Sequence, residues 1–211
     1  MTPRPLESPR KMCQTFFVLD EAVFPEIIPT RRLLLRKYTQ TDCPSIFSLV
    51  DKNKEILLQS FADTVQGLSK PEDAGNYVEG KTKLWQDRKL YCYGLWLKNS
   101  EELIGQLQIK NITWQVPAAE LSYFIDSSSR RKGFATEAVS EVLHQAFHQL
   151  KFKRIFVRII PSNKESTLLV EKLGFRHEGL HRSEYRCGLG TLCDMQYLSL
   201  LDIEFPARQI P

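Results

Sequence analysis

The sequence predicts a single mixed α/β domain, and three observations carry that reading. An apolar run, Leu121 to Ile125, leads through the basic turn Ser129-Arg130-Arg131-Lys132-Gly133 into a long amphipathic helix beginning near Ala135. Two more apolar runs, Leu90 to Leu97 and Leu103 to Ile109, flank the polar stretch Lys98-Asn99-Ser100-Glu101-Glu102 and read as a β-hairpin. A second strand-to-helix passage runs from Lys153 to Ile160, stops at Pro161, and continues as a short helix closing at Gly174-Phe175.

Each element follows from local chemistry. Residues 1 to about 28 contain Pro3, Pro5, Pro9 and Pro25 and read as an irregular extension. A strand is expected at Leu33 to Lys37. Thr41 or Asp42 can cap a helix carrying Ile46, Phe47 and Val50 inward, and a second helical piece turns Ile56, Leu57 and Phe61 inward. Pro71-Glu72-Asp73 reads as a first helical turn, with proline at N1 and acids favoured by the dipole. That helix is expected to reach about Arg88, with Ala74, Tyr77, Val78 and Trp85 on one side. After the hairpin, Ala118 to Ile125 reads as a strand. The helix from Ala135 turns Ala138, Val139, Val142, Leu143, Ala146, Phe147 and Leu150 inward, and Glu137, Ser140, Glu141, His144, Gln145 and His148 outward. Asn163 suits an N-cap and Gly174 the C′ position of the next helix. Ser166, Leu169, Val170 and Leu173 share one face of it. A last strand pair is expected at about Glu184 to Cys187 and Leu192 to Leu200, around Gly188-Leu189-Gly190.

The basic turn is the first candidate for function. Gly133 lets the backbone approach an anion, and the first helical N–H groups lack intrahelical partners. Part of a positive charge from the helix dipole adds to them. The turn is either a pyrophosphate cradle or an ordinary basic connection. Ser166, a hydroxyl on an otherwise apolar face, is either a functional group or a small core residue bonded to its own helix backbone.

Together these segments resemble the GNAT acyltransferases. Arg130-x-x-Gly133-x-Ala135 is similar to the family's acyl-CoA motif, and Asn163-x-x-Ser166 with Gly174-Phe175 to its second helix and the strand beyond. The RimJ/RimL branch, N-terminal acetyltransferases of ribosomal proteins, is closer still. Pro29-Thr30-Arg31-Arg32-Leu33-Leu34-Leu35-Arg36, Glu120-Leu121-Ser122-Tyr123-Phe124-Ile125-Asp126 and Cys193-Asp194 to Leu200 all look like its strands. The likeness runs from about Pro29 to Phe205, leaving 1–28 as an extension and 206–211 as a tail.

The resemblance implies a central, mostly antiparallel twisted sheet flanked by helices, and acetyl transfer from acetyl-CoA to a primary amine. It implies that Arg130, Arg131, Lys132, Gly133, Phe134, Ala135 and Thr136 hold the pyrophosphate, that backbone near Phe124 and Ile125 pairs with the pantetheine arm, and that Asn163 contacts that arm. The amine attacks the thioester directly, so no cysteine or serine nucleophile is needed, and no metal. Glu120 and Glu184 are candidate bases, each of which could instead be a solvated strand residue. Many family members carry a tyrosine acid where Val170 stands; Ser166 is the substitute in this branch. The acceptor is a protein N-terminus or a small molecule such as a polyamine or antibiotic amine. A module that binds CoA without turnover is the alternative of a different class. Homodimerisation, common in the branch, is left open.

Composition agrees with one core and an ordinary globular protein. The net charge of +4 is mild and spread along the 211 residues, which does not imply nucleic acid. Apolar runs fall far short of a membrane span, and Phe16-Phe17-Val18-Leu19, stopped by Asp20-Glu21, is too short for a signal-peptide core. Five cysteines, at 13, 43, 92, 187 and 193, show no metal spacing, and reduced thiols in a cytoplasm fit best. His144/His148 and His177/His181 have i, i+4 spacing; a solvated helix face is the simpler reading of the first pair. Trp85, Trp96 and Trp114 read as core or groove wall.

Overall fold

The computed structural model describes residues 23–206, and the elements follow in chain order. Strands β1 (Ile27–Pro29) and β2 (Leu33–Lys37) precede four helices: α1 (Cys43–Lys52), α2 (Lys54–Ser60), α3 (Ala62–Gln66) and α4 (Asp73–Gln86). Strands β3 (Tyr91–Leu97), β4 (Leu103–Thr113) and β5 (Ala118–Ile125) lead into α5 (Phe134–His144), which continues as a π-turn over Gln145–Gln149. Strand β6 (Arg154–Ile159), helix α6 (Lys164–Lys172) and strands β7 (Arg176–Arg186) and β8 (Leu192–Leu201) complete the fold.

One sheet takes all eight strands in the order β1-β2-β3-β4-β5-β6-β8-β7. Every pairing is antiparallel except β5 with β6. Period-2 alternation sorts side chains between two cores. Tyr91, Tyr93 and Leu95 of β3, with Ala119, Leu121 and Ile125 of β5, join the cluster under α5, where Val139, Val142 and Leu143 are fully buried. Cys92, Trp96 and Phe124 join the opposite cluster under α1, α3 and α4, with Ile46, Val50, Val65 and Val78.

The structure revises several expectations. The ordered sheet starts before residue 29, because Ile27–Pro29 pairs with β2 and Phe24 packs its ring on Tyr91 and Phe152. The rest of the expected extension (residues 1–22, with Cys13 and the Phe16–Leu19 run) and the tail beyond residue 206 lie outside the described residues. Pro71 stands before the α4 cap, Glu72, not at N1. Ile56 is exposed while its neighbour Leu57 is buried. Strand β4 runs on past Ile109 to Thr113. Strand β7 starts at Arg176, eight residues before its expected start at Glu184. It is an edge strand with almost no buried side chain, and its charges suit that place. His144 and His148 are half-buried and their rings meet at a tilt, 4.7 Å between centroids, so the solvated-face reading fails. The reason is Phe205, which covers His148 from the far end of the chain. His177 and His181 both lie on β7.

Candidate active site

The site begins where two strands part. β5 and β6 pair only from Ala118↔Arg154 to Glu120↔Phe156. Beyond Glu120 the parallel pairing ends, leaving the β5 edge from Leu121 to Ile125 open on that side. A cavity of about 690 Å³ lies there. Of the expected residues, Phe124, Ile125, Arg130, Arg131, Gly133, Phe134, Ala135, Thr136, Asn163 and Ser166 all line it. Lys132 is exposed and outside the lining, and so are Glu120 and Glu184 outside it.

The basic turn has the backbone that an anion site needs. Arg131 (φ +57°) and Gly133 (φ +79°) are both left-handed, and Gly133 is the α5 N-cap, with no side chain to take the orphan N–H groups of the first turn. Arg130 Nε donates back to the Ile125 carbonyl at 3.4 Å, tying the turn to the end of β5. Between them, Asp126 is buried and accepts from Lys52 Nζ (2.6 Å), Asn53 Nδ2 (3.1 Å) and Ser128 Oγ (2.9 Å). Asn53 Oδ1 in turn accepts from the Ser127 N–H at 3.0 Å. Burial pushes the Asp126 carboxyl up, but these donors outweigh it and bring it down to about 2. The end of α1 is thus bonded to the segment that enters the turn.

Asn163 caps α6 as expected, its side chain accepting from the Ser166 N–H at 3.2 Å, and Gly174 closes the helix at φ +94°. Ser166 Oγ stands 3.5 Å from the hydroxyl of Tyr123 on β5, which also lines the cavity. Burial, opposed by the Ser166 contact, pushes that phenol up to about 12, so it keeps its proton throughout the neutral range. Val170 is fully buried in the core.

The two candidate bases share one cation. Glu120, 2 % exposed, accepts from Asn111 Nδ2 at 2.5 Å and pairs with Arg158 at 3.1 Å and Lys110 at 3.4 Å. Glu184 pairs with the same guanidinium at 3.3 Å, accepts from the Tyr197 hydroxyl, and has His181 Nδ1 at 3.5 Å. Arg158, Tyr123 and Asp126 received no role from sequence reasoning. Arg158 is placed by strand register, which no local signal records: on β6 it lies opposite Tyr197 of β8 and two residues beyond Phe156, the partner of Glu120.

The opposite wall comes from α2 and the Phe61 that follows it. The Gly188 N–H donates to the Leu58 carbonyl at 2.7 Å, and the Ala62 N–H to Tyr185 Oη at 3.1 Å. The β7–β8 hairpin is therefore docked on α2, and a Cβ at Gly188 would overlap Leu58. Among the described residues, no group of three or more His, Cys, Asp and Glu side chains is placed to hold a metal ion.

The profile of the acetyltransferase (GNAT) domain matches residues 32–176, more than half of the chain. The chain belongs to the GNAT acetyltransferase family. The "Probable N-acetyltransferase YjcK" of Bacillus subtilis is 30% identical, over 82% of this chain and 95% of that protein. The "Ribosomal-protein-serine acetyltransferase" of Escherichia coli is 25% identical, over 72% of this chain and 84% of that one. Among solved structures, RimL, a ribosomal L7/L12 alpha-N-protein acetyltransferase in complex with coenzyme A, superposes with a TM-score of 0.77 at 24% identity, covering 83% of this chain and 98% of that one. The enzyme is an N-acetyltransferase, and the GNAT family uses acetyl-CoA.

The cavity fits that donor. A left-handed glycine turn and two arginines offer an anion site, the unpaired β5 edge offers amides to an extended arm, and two hydroxyls face each other between α6 and β5. One consequence concerns Gly133. A side chain in its left-handed conformation costs about 1–2 kcal/mol, and more when β-branched. Gly133→Val is expected to weaken CoA binding about tenfold in calorimetry; unchanged affinity would remove the turn from the binding site.

Proposed function

We propose that this enzyme acetylates the α-amine of a protein N-terminus, with acetyl-CoA as donor. The observation that carries the reading is the shared pairing of Glu120 and Glu184 with Arg158. Both carboxylates are engaged by one guanidinium and neither lines the cavity, so neither stands free beside it. Such a site suits an amine that is partly neutral on its own. An α-amine of pKa about 8 meets that need better than a lysine or polyamine near 10.4, a difference of about 2.5 units or some 3.4 kcal/mol.

In this reading acetyl-CoA supplies an activated acetyl group as a thioester. Arg130, Arg131 and the N–H groups from Gly133 to Thr136 bind its pyrophosphate, with Lys132 acting through the turn backbone. The N–H and carbonyl groups near Phe124 and Ile125, with the Asn163 amide, orient the arm, and an N–H there would polarise the reacting carbonyl. Ser166 donates a hydrogen bond to the departing sulfur. Of the two acids, Glu184 is the one that water can reach to relay the amine's proton, because its side chain is 23 % exposed against 3 % for Glu120. Glu120 anchors Arg158. Four free cysteines among the described residues fit a reducing cytoplasm.

Thiol release from acetyl-CoA tests the acceptor. Peptides beginning Ser, Ala or Met should support turnover, whereas the same peptides with a blocked N-terminus and one free lysine should not. Turnover only with small amines would move the acceptor to that class. Measurable CoA binding without turnover on any of them would favour a binding module.

A further inference from the structure

We propose that Arg32, at the entrance to β2, is the positioning residue that holds the pyrophosphate turn in its anion-accepting form. The segment before β2 reaches across to α5. Arg32 Nη1 donates to the Lys132 carbonyl at 2.9 Å, and its Nε to Glu137 Oε2 at 2.6 Å. The guanidinium lies 4.5 Å over the Phe134 ring, and its Nη2 stands 3.4 Å from where a Cβ of Gly133 would be. One side chain thus touches the turn, the helix cap, the first helical residue and the first-turn carboxylate.

Two physical consequences follow. Arg131 holds a left-handed conformation without being glycine, which requires outside support. The bond to the Lys132 carbonyl keeps that oxygen on the Arg32 side, so the neighbouring N–H groups stay free for the ligand. Glu137, meanwhile, puts a negative charge in the first turn of α5, where a pyrophosphate must also sit. Arg32 cancels it, and the Arg32 N–H (2.7 Å) and Thr30 hydroxyl (2.6 Å) occupy the other carboxylate oxygen. Without Arg32 the turn would lose its brace and expose an anion to an anion.

This role rests on the turn binding the phosphates of CoA, and the experiment separates the two ideas. S-acetylpantetheine carries the same thioester without phosphates. If the wild type binds CoA no better than this fragment, the turn is not the phosphate site. Given a wild-type preference, Arg32→Gln is expected to raise the CoA Kd and the acetyl-CoA KM about tenfold, with kcat at saturation within twofold and S-acetylpantetheine turnover unchanged. Adding Glu137→Gln should recover at least threefold of the lost affinity, by removing the exposed charge. Arg32→Lys, which keeps the charge without the fork, should fall between wild type and Arg32→Gln and serves if Arg32→Gln fails to fold. An equal loss with both donors, or a CoA Kd within twofold of wild type, would overturn the proposal and leave Arg32 a structural brace.

Discussion

Replacing Ser166 with alanine is expected to lower kcat by about tenfold or more at saturating acetyl-CoA, while the KM for acetyl-CoA stays within about twofold. In the proposed chemistry the serine acts as the thioester gives way to a free thiolate. A simple thiol has a pKa of about 8.5, so the departing sulfur needs a hydrogen bond more than a strong acid. A hydroxyl meets that need, which places the effect nearer tenfold than the roughly hundredfold or more of a full general acid. Tyr123 stands 3.5 Å away with its proton firmly held, and Tyr123→Phe should reproduce part of the loss. If the hydroxyls act as a pair, the double variant will fall no further than Ser166→Ala alone. A Ser166→Ala enzyme within twofold of wild type would remove the serine from the chemistry.

Asp126→Ala is expected to cost about 3 kcal/mol of stability, at the low end for a broken buried ion pair because Lys52 is half exposed and can return to water. For a chain of this size that corresponds to roughly 6–12 °C in Tm. The network also ties α1 to the segment entering the basic turn, so the acetyl-CoA KM should rise as well. The pH dependence has a definite sign. The carboxyl titrates near 3.9 in the unfolded chain and at about 2 in the fold. Its stabilisation, roughly 2 kcal/mol, is therefore complete above the unfolded value and is lost as pH falls from about 4 towards 2. Thermal melts should show the gap between wild type and Asp126→Asn narrowing from pH 6 to pH 3. A constant gap would mean that the charge of Asp126 does not stabilise the fold.

The residues that line the cavity were legible because each carries local information. Gly133 and Gly174 stand where left-handed backbone is required, Asn163 where a helix needs a cap, and Ser166 one turn further on the same face. Neither strand register nor long-range pairing has such a local sign. Glu120 and Glu184 were separate candidates for the base; only the sheet order β5-β6-β8-β7 brings both to Arg158. Glu137 looked like a solvated helix residue, and only the fold brings Thr30 and Arg32, more than a hundred positions earlier, onto it.

Hydrophobic periodicity and turn chemistry in the sequence alone determined α1, α5, α6, the β3–β4 hairpin, β5 and the glycine turn before α5, since each is specified by residues within a few positions of one another. Strand β7 shows the opposite case. Arg176–Arg186 has almost no apolar alternation, and it is a strand because β8 offers it a hydrogen-bonded edge. The tertiary structure likewise decided which charges meet. An ion pair depends on distance in space, and nothing in the local pattern records which distant side chain will be there to satisfy a buried carboxylate.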